Sequence, residues 1–177
     1  MASKKWFSGV IVLLLLLGLA ANVCAKNSIL PSSQISVSID ALGSFKAENL
    51  SFSAFQSALT PVGGGGTGKV TINDIVITKS PDSYSPDLFL YCAAGRYLSK
   101  VTINVDKISI SGTMEPFMEI TLSNVIVSNF SFATKTDEGS VETLNFYFGK
   151  VCIKVSDISG NENETCWNVT TNEPETP

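Results

Sequence analysis

The chain has 177 residues, 44% of them hydrophobic and only 16% charged, with 12 basic side chains against 16 acidic ones. A net charge of −4 leaves no basic face for the phosphates of a nucleic acid, so nucleic acid is excluded as a partner. The absence of histidine excludes Ser-His and Cys-His nucleophile pairs and every histidine-ligated zinc or haem site.

The first element runs from Met1 to Ala25. Lys4 and Lys5 precede an apolar run centred on Val10 to Leu17, and small residues close it at Val23-Cys24-Ala25. This is the pattern of a secretory signal peptide, cleaved between Ala25 and Lys26. Its uninterrupted apolar stretch is about 15 residues, short of the roughly 20 that span a bilayer. No stable membrane insertion is expected after cleavage, and the mature chain is placed outside the cytosol, in the periplasm or the extracellular space. Loss of Lys4 and Lys5 would take the net charge from −4 to −6. The mature chain then divides into a linker over residues 26–34, one domain over 35–157 and a tail over 158–177.

The domain reads as mainly β. Apolar residues alternate with polar ones at Ile35, Val37 and Ile39, at Leu50 and Phe52, and through Val70, Ile72, Ile75 and Ile77. The series continues at Val101, Ile103, Val105, Ile108 and Ile110, then Met118, Ile120, Leu122, Val125, Val127, Phe130 and Phe132. Leu144, Phe146, Phe148, Val151, Ile153 and Val155 complete it. The parity flips at Asn73-Asp74, Asp106-Lys107, Ser123-Asn124 and Gly149-Lys150. A slip of one residue carries a whole strand from core to solvent, so each flip calls for a bulge or tight turn. Such bent strands predict a small antiparallel β-barrel or an orthogonal sandwich.

One α-helix is expected. Ser85 can N-cap it, Pro86 suits its first position, and Asp87 complements the dipole. Leu88, Phe89 and Cys92 form an apolar stripe, and Gly95 can end the helix in the left-handed conformation. It should flank the barrel at one opening or on one face.

Gly63-Gly64-Gly65-Gly66-Thr67-Gly68-Lys69 imitates a phosphate-cradling loop, but Val70 stands where the magnesium-holding Ser or Thr belongs. A strand follows instead of a helix, so the glycines read as a flexible connection and no nucleotide cofactor is implied. Glu115 and Glu119 flank the start of one strand, and Asp137 and Glu138 sit in a turn. None forms an evident catalytic pair, and neither enzymatic activity nor a metal site is expected.

The mature chain keeps Cys92, Cys152 and Cys166. Alternation turns Val151, Ile153 and Val155 to one face and Cys152 with Lys154 to the other. Cys166 lies in a tail able to fold back, so Cys152 pairs with Cys166 outside the cytosol. Three free thiols are the alternative. From Asp157 onward there are five acidic residues and no basic one, the composition of a disordered tail, which Cys166 and Trp167 can pin. Four N-x-S/T sequons begin at Asn49, Asn129, Asn163 and Asn168, of which Asn163 and Asn168 are expected to be exposed to glycosylation in a eukaryotic secretory pathway.

Five stretches in order resemble the haemolysin-coregulated protein (Hcp) family, the tube subunits of bacterial type VI secretion. They are Glu48 to Ser53, Gly68 to Lys79, Ser85 to Arg96, Phe117 to Ser128 and Leu144 to Val151. Gly68-Lys69-Val70 with Asp74, Thr78 and Lys79 is similar to that family's GKV…D…TK strand. Ser85-Pro86 with Leu88, Ala93 and Gly95 is similar to its SP.L…A..G helix. The resemblance covers about residues 35 to 157 and implies a β-barrel of six to eight strands with a flanking helix. It further implies non-enzymatic subunits joined head-to-tail in a six-fold ring, rings stacked in a tube, and small effector cargo in the lumen.

The residues fit that expectation. Tyr147 stands between Phe146 and Phe148, and Ile126 between Val125 and Val127, so both faces of these strands are apolar. One face fills the barrel; the other needs a cover, which an identical neighbour supplies through Tyr147 and Ile126 or the helix supplies within one chain. The export signal, a short loop between Ile39 and Glu48 and the cysteine-bearing tail depart from the family pattern. The principal expectation is an exported Hcp-like ring protein; the alternative is a monomeric secreted binding module with a disulfide-tied tail.

Overall fold

The computed structural model describes residues 33–40, 42–56, 70–109, 111–137, 139–157 and 159–176. The chain divides into two units, Met1–Leu30 and Pro31–Pro177, and the described residues belong to the second. The signal segment with its Ala25–Lys26 junction, nearly all of the 26–34 linker, and the glycine run lie outside the described residues.

Eleven strands and one helix are described. In chain order they are β1 (Ser33–Ile39), β2 (Gly43–Ala47), β3 (Asn49–Ser51), β4 (Ala54–Gln56), β5 (Val70–Ile72), β6 (Ile75–Lys79), α1 (Ser85–Ala94) and β7 (Tyr97–Ile108). Then come β8 (Met114–Lys135), β9 (Gly139–Ser156), β10 (Glu162–Asn168) and β11 (Glu173–Glu175). Nine strands form one antiparallel sheet along the path β11-β10-β9-β8-β7-β1-β2, with β6 pairing both β9 and β3. β4 and β5 make a separate hairpin.

The expected mainly β class with one helix holds, but no sheet closes into a barrel among the described residues. The ladder ends at β2, and the chain bends at Glu48 before β3 pairs with β6. At that bend the Glu48 amide donates to Thr78 O at 2.8 Å. The hydrogen-bonded rows of β2 and β3 therefore point to different neighbours, and no strand links them edge to edge.

The parity flips become folds in the sheet. Leu98, Val125 and Phe148 are cross-strand partners and all buried; so are Val101, Leu122 and Val151. Between these rows lie Ser99-Lys100, Ser123-Asn124 and Gly149-Lys150, so β7, β8 and β9 turn over along one line. Asn124 takes φ 54° there, a left-handed conformation that Asn tolerates. The register slips between Val105 and Asp106 and between Val127 and Asn129 are bulges. Along β8 and β9 these devices keep Ile120, Leu122, Val125, Val127, Leu144, Phe146, Phe148 and Val151 in one core despite the bends.

Two local expectations need correction. Tyr84, not Ser85, is the N-cap of α1, and it makes no side-chain cap. Ser85 enters the first turn because its hydroxyl is taken up elsewhere. Of the expected stripe only Leu88 is buried; Cys92 is a half-buried free thiol and Phe89 is exposed, edge-on to Phe130 at 5.7 Å. Gly95 does end the helix, with φ 59° and its amide donating to Cys92 O at 3.2 Å.

The tail, expected to be disordered, forms β10 and β11 instead. Seven residues of β10 register against β9, from Glu162 opposite Ser156 to Asn168 opposite Lys150. Trp167 and Val169 pack on the core, which composition alone does not reveal. In the turn between β9 and β10 the Asp157 carboxylate accepts from the Asn161 side chain and from the Asn161 and Ser159 amides. The Asn161 side chain above all, then those amides, holds this carboxyl below its ordinary range.

Candidate functional site

Above the fold line, β7, β8 and β9 turn alternate residues away from the core. Ile126 is the direct partner of Tyr97 on one side and of Tyr147 on the other. The three make an outward row, with Tyr97 73% exposed, Tyr147 53% exposed and Ile126 half-buried between them. The structure thus sets Ile126 and Tyr147, the two residues singled out from sequence, side by side on one face. It adds Tyr97, which sequence reasoning missed. Alternation opposite Leu98 was the available signal, but only the β7–β8 register places Tyr97 beside Ile126.

Below the fold line the same outward side is polar. Ser38, Thr102, Thr121, Cys152 and Cys166 form one cross-strand row, and Ser36, Asn104, Glu119, Lys154 and Glu164 the next. Lys154 meets Glu119 at 3.7 Å, while Glu115 accepts from Thr113 at 3.2 Å. Glu115 and Glu119 thus take different partners, and Glu138 lies outside the described residues. Cys152 and Cys166 are joined, as expected, with Cα atoms 4.0 Å apart. Glu164 lies close to both sulfurs, but the bond commits both thiols, so neither is free to ligate a metal in this cluster. Asn163 is exposed; Asn168 is half-buried, its side-chain oxygen accepting from the Thr170 and Thr171 amides at 2.9 and 3.0 Å.

A second feature escaped the sequence. Lys79 on β6 and Glu142 on β9 are cross-strand partners, both buried, and their charges meet at 2.8 Å. Lys79 also reaches Asp82 at 3.0 Å, Ser80 O at 3.0 Å and Ser85 Oγ at 3.2 Å, and stands 5.3 Å from the centre of the Phe45 ring. Ser85 Oγ donates to Glu142 at 2.7 Å and accepts from the Asp82 amide at 3.0 Å. The cluster fixes the start of α1 to two strands. With every group engaged inside the fold, it serves position rather than chemistry. Beside it, Gly43 has φ 122°, and a Cβ there would stand 2.8 Å from Tyr84 Oη, so the bend entering β2 requires glycine.

A family model described as type VI secretion system effector, Hcp, matches residues 40–155. No curated protein matches the chain significantly. Among solved structures, that of Hcp1 from Salmonella typhimurium is 18% identical, with a TM-score of 0.69 over 81% of this chain and 99% of that one. A structure described as a type six secretion system protein is 17% identical, with a TM-score of 0.70 over 80% and 99%. The secreted protein Hcp3 from Pseudomonas aeruginosa is 17% identical, with a TM-score of 0.56 over 75% and 96%. At these identities the likeness to the solved structures is one of fold. No helix among the described residues is long and apolar enough to cross a membrane.

Proposed function

The chain belongs to the type VI secretion system effector Hcp family, and on that premise we propose that it is a non-enzymatic structural subunit that joins identical copies in a ring. The observation that carries this reading is the outward row Tyr97–Ile126–Tyr147. Its two exposed aromatic rings flank an aliphatic side chain, and burial of such a row releases about 25 cal/mol for each Å² of apolar surface removed from water. A head-to-tail contact repeated around an axis closes into a ring and covers the row on every subunit. Six subunits are the number that family membership suggests, with effector cargo held in the lumen. In this reading β2 and β3 act as one bent strand across Glu48 and complete a small barrel. The segment Met1–Ala25 exports the chain, and the ring forms outside the cytosol.

Size-exclusion chromatography with light scattering on the chain beginning at Lys26 tests the proposal. The expected mass is six times that of the subunit. Tyr147→Glu places a charge in the row without touching the core and is expected to yield folded monomers, with an unchanged circular dichroism spectrum. A wild-type chain of single-subunit mass overturns the ring and leaves a monomeric secreted module. A ring that survives Tyr147→Glu removes this row from the interface.

A further inference from the structure

The Cys152–Cys166 bond lies where β9 changes partners. Along one side β9 pairs with β6 from Glu142 to Phe146 and with β10 from Lys150 to Ser156. Among the described residues no other strand meets that second stretch on that side, so β10 alone caps it. β10 holds to β9 by a ladder of seven residues, Glu162 to Asn168. Glu162, Glu164, Glu173 and Glu175 supply four acidic residues with no basic one, Lys150–Glu175 at 3.1 Å is an ion pair between the hairpin and β9, and Ser156 Oγ donates to Glu162 at 3.3 Å. Trp167 and Val169 give the hairpin an apolar hold, and the disulfide gives it a covalent one.

We propose that this disulfide is a redox latch: oxidised, it keeps β10 and β11 in place over β9; reduced, it lets the hairpin detach and leaves Lys150–Ser156 as an open strand edge. The reductant is a dithiol. One of its thiolates attacks a cysteine sulfur, the Cys152–Cys166 bond breaks, and a mixed disulfide forms. The second thiol then attacks that mixed disulfide and expels the cysteine still bound in it, so two electrons and two protons pass to the pair and the dithiol becomes a disulfide. Both cysteines are buried, which makes partial lifting of β10 the route by which the reductant enters. Cys92 sits on α1 and takes no part. The sheet is therefore complete in an oxidising compartment and open-edged in a reducing one, whether or not the chain forms a ring.

The test is amide hydrogen exchange on the full mature chain carrying Cys92→Ser, oxidised and after dithiothreitol, with free thiols counted to verify reduction. Exchange over Lys150–Ser156 and Glu162–Asn168 is expected to quicken by about tenfold or more on reduction, while Val101–Ile103 and Ile120–Leu122 keep their protection. Unchanged protection of Lys150–Ser156 in the reduced protein overturns the latch. So does equal loss of protection everywhere, which makes the bond a support of the whole fold. A bond that resists dithiothreitol under native conditions is a permanent staple and overturns it too. The double variant Cys152→Ser, Cys166→Ser should reproduce the reduced pattern; if it fails to fold, reduction of the folded protein carries the test.

Discussion

Lys79 shows how much a single position can carry. Its ammonium is fully buried and satisfied by Glu142, Asp82, Ser80 O and Ser85. Lys79→Met removes the cation and leaves the Glu142 carboxylate buried with only the Ser85 hydroxyl, a situation that costs about 3–5 kcal/mol in comparable buried pairs. Combining Lys79→Met with Glu142→Leu removes the orphaned charge as well and should recover most of that loss. Urea denaturation of the two variants checks this, and a single variant within about 1 kcal/mol of wild type would mean that water reaches Glu142. Alternation could not foretell the pair. Lys79 ends a run of apolar and polar residues on the side of Ile75 and Ile77, where a lysine reads as a frayed, solvated end. Only the β6–β9 register puts Glu142 opposite it.

At the scale of an element, the fold line across β7, β8 and β9 was legible in two of its three strands. The flips at Ser123-Asn124 and Gly149-Lys150 are visible in the sequence as broken alternation, but their alignment requires the register between strands. The third flip, at Ser99-Lys100, is masked because Tyr97 and Leu98 are both apolar and give no clear parity. Asn124 makes the turn at φ 54°, and opposite it a Cβ on Gly149 would stand 3.3 Å from Asn124 Cβ. Asn124→Gly should therefore fold with near-wild-type stability. Asn124→Val should lose about 1–2 kcal/mol, because a β-branched side chain is disfavoured in the left-handed region. Equal denaturation midpoints for the two variants would show that the strands can turn over without that backbone conformation. The tail was misread for a related reason. Its acidic composition hid Val169 and left Trp167 as a mere pin, and the strand they anchor depends on β9 rather than on its own propensity. β11 suits its place at the margin, since Pro174 between two glutamates discourages a further strand from adding there.

For the whole molecule, composition gives a negative chain with few charged residues, while the open path of the sheet was beyond its reach. The distribution of that charge bears directly on assembly. The row that would meet a neighbour is aromatic and aliphatic, whereas the subunit as a whole is negative, at −4 over the full sequence and −6 without Lys4 and Lys5. Bringing identical copies together therefore gathers like charges around an uncharged contact. Salt then acts in a definite direction. The screening length falls from about 30 Å at 0.01 M to about 8 Å at 0.15 M ionic strength, which weakens repulsion between subunits and leaves burial of the row nearly untouched. The ring should be tighter at physiological salt than at low salt, with the smaller species gaining on dilution into weak buffer. Light scattering over a salt series reads this as a rise in mean mass with ionic strength. A fall would point to ion pairs between subunits, and the contact would then lie on the polar side below the fold line, where Glu119, Lys154 and Glu164 stand in one row.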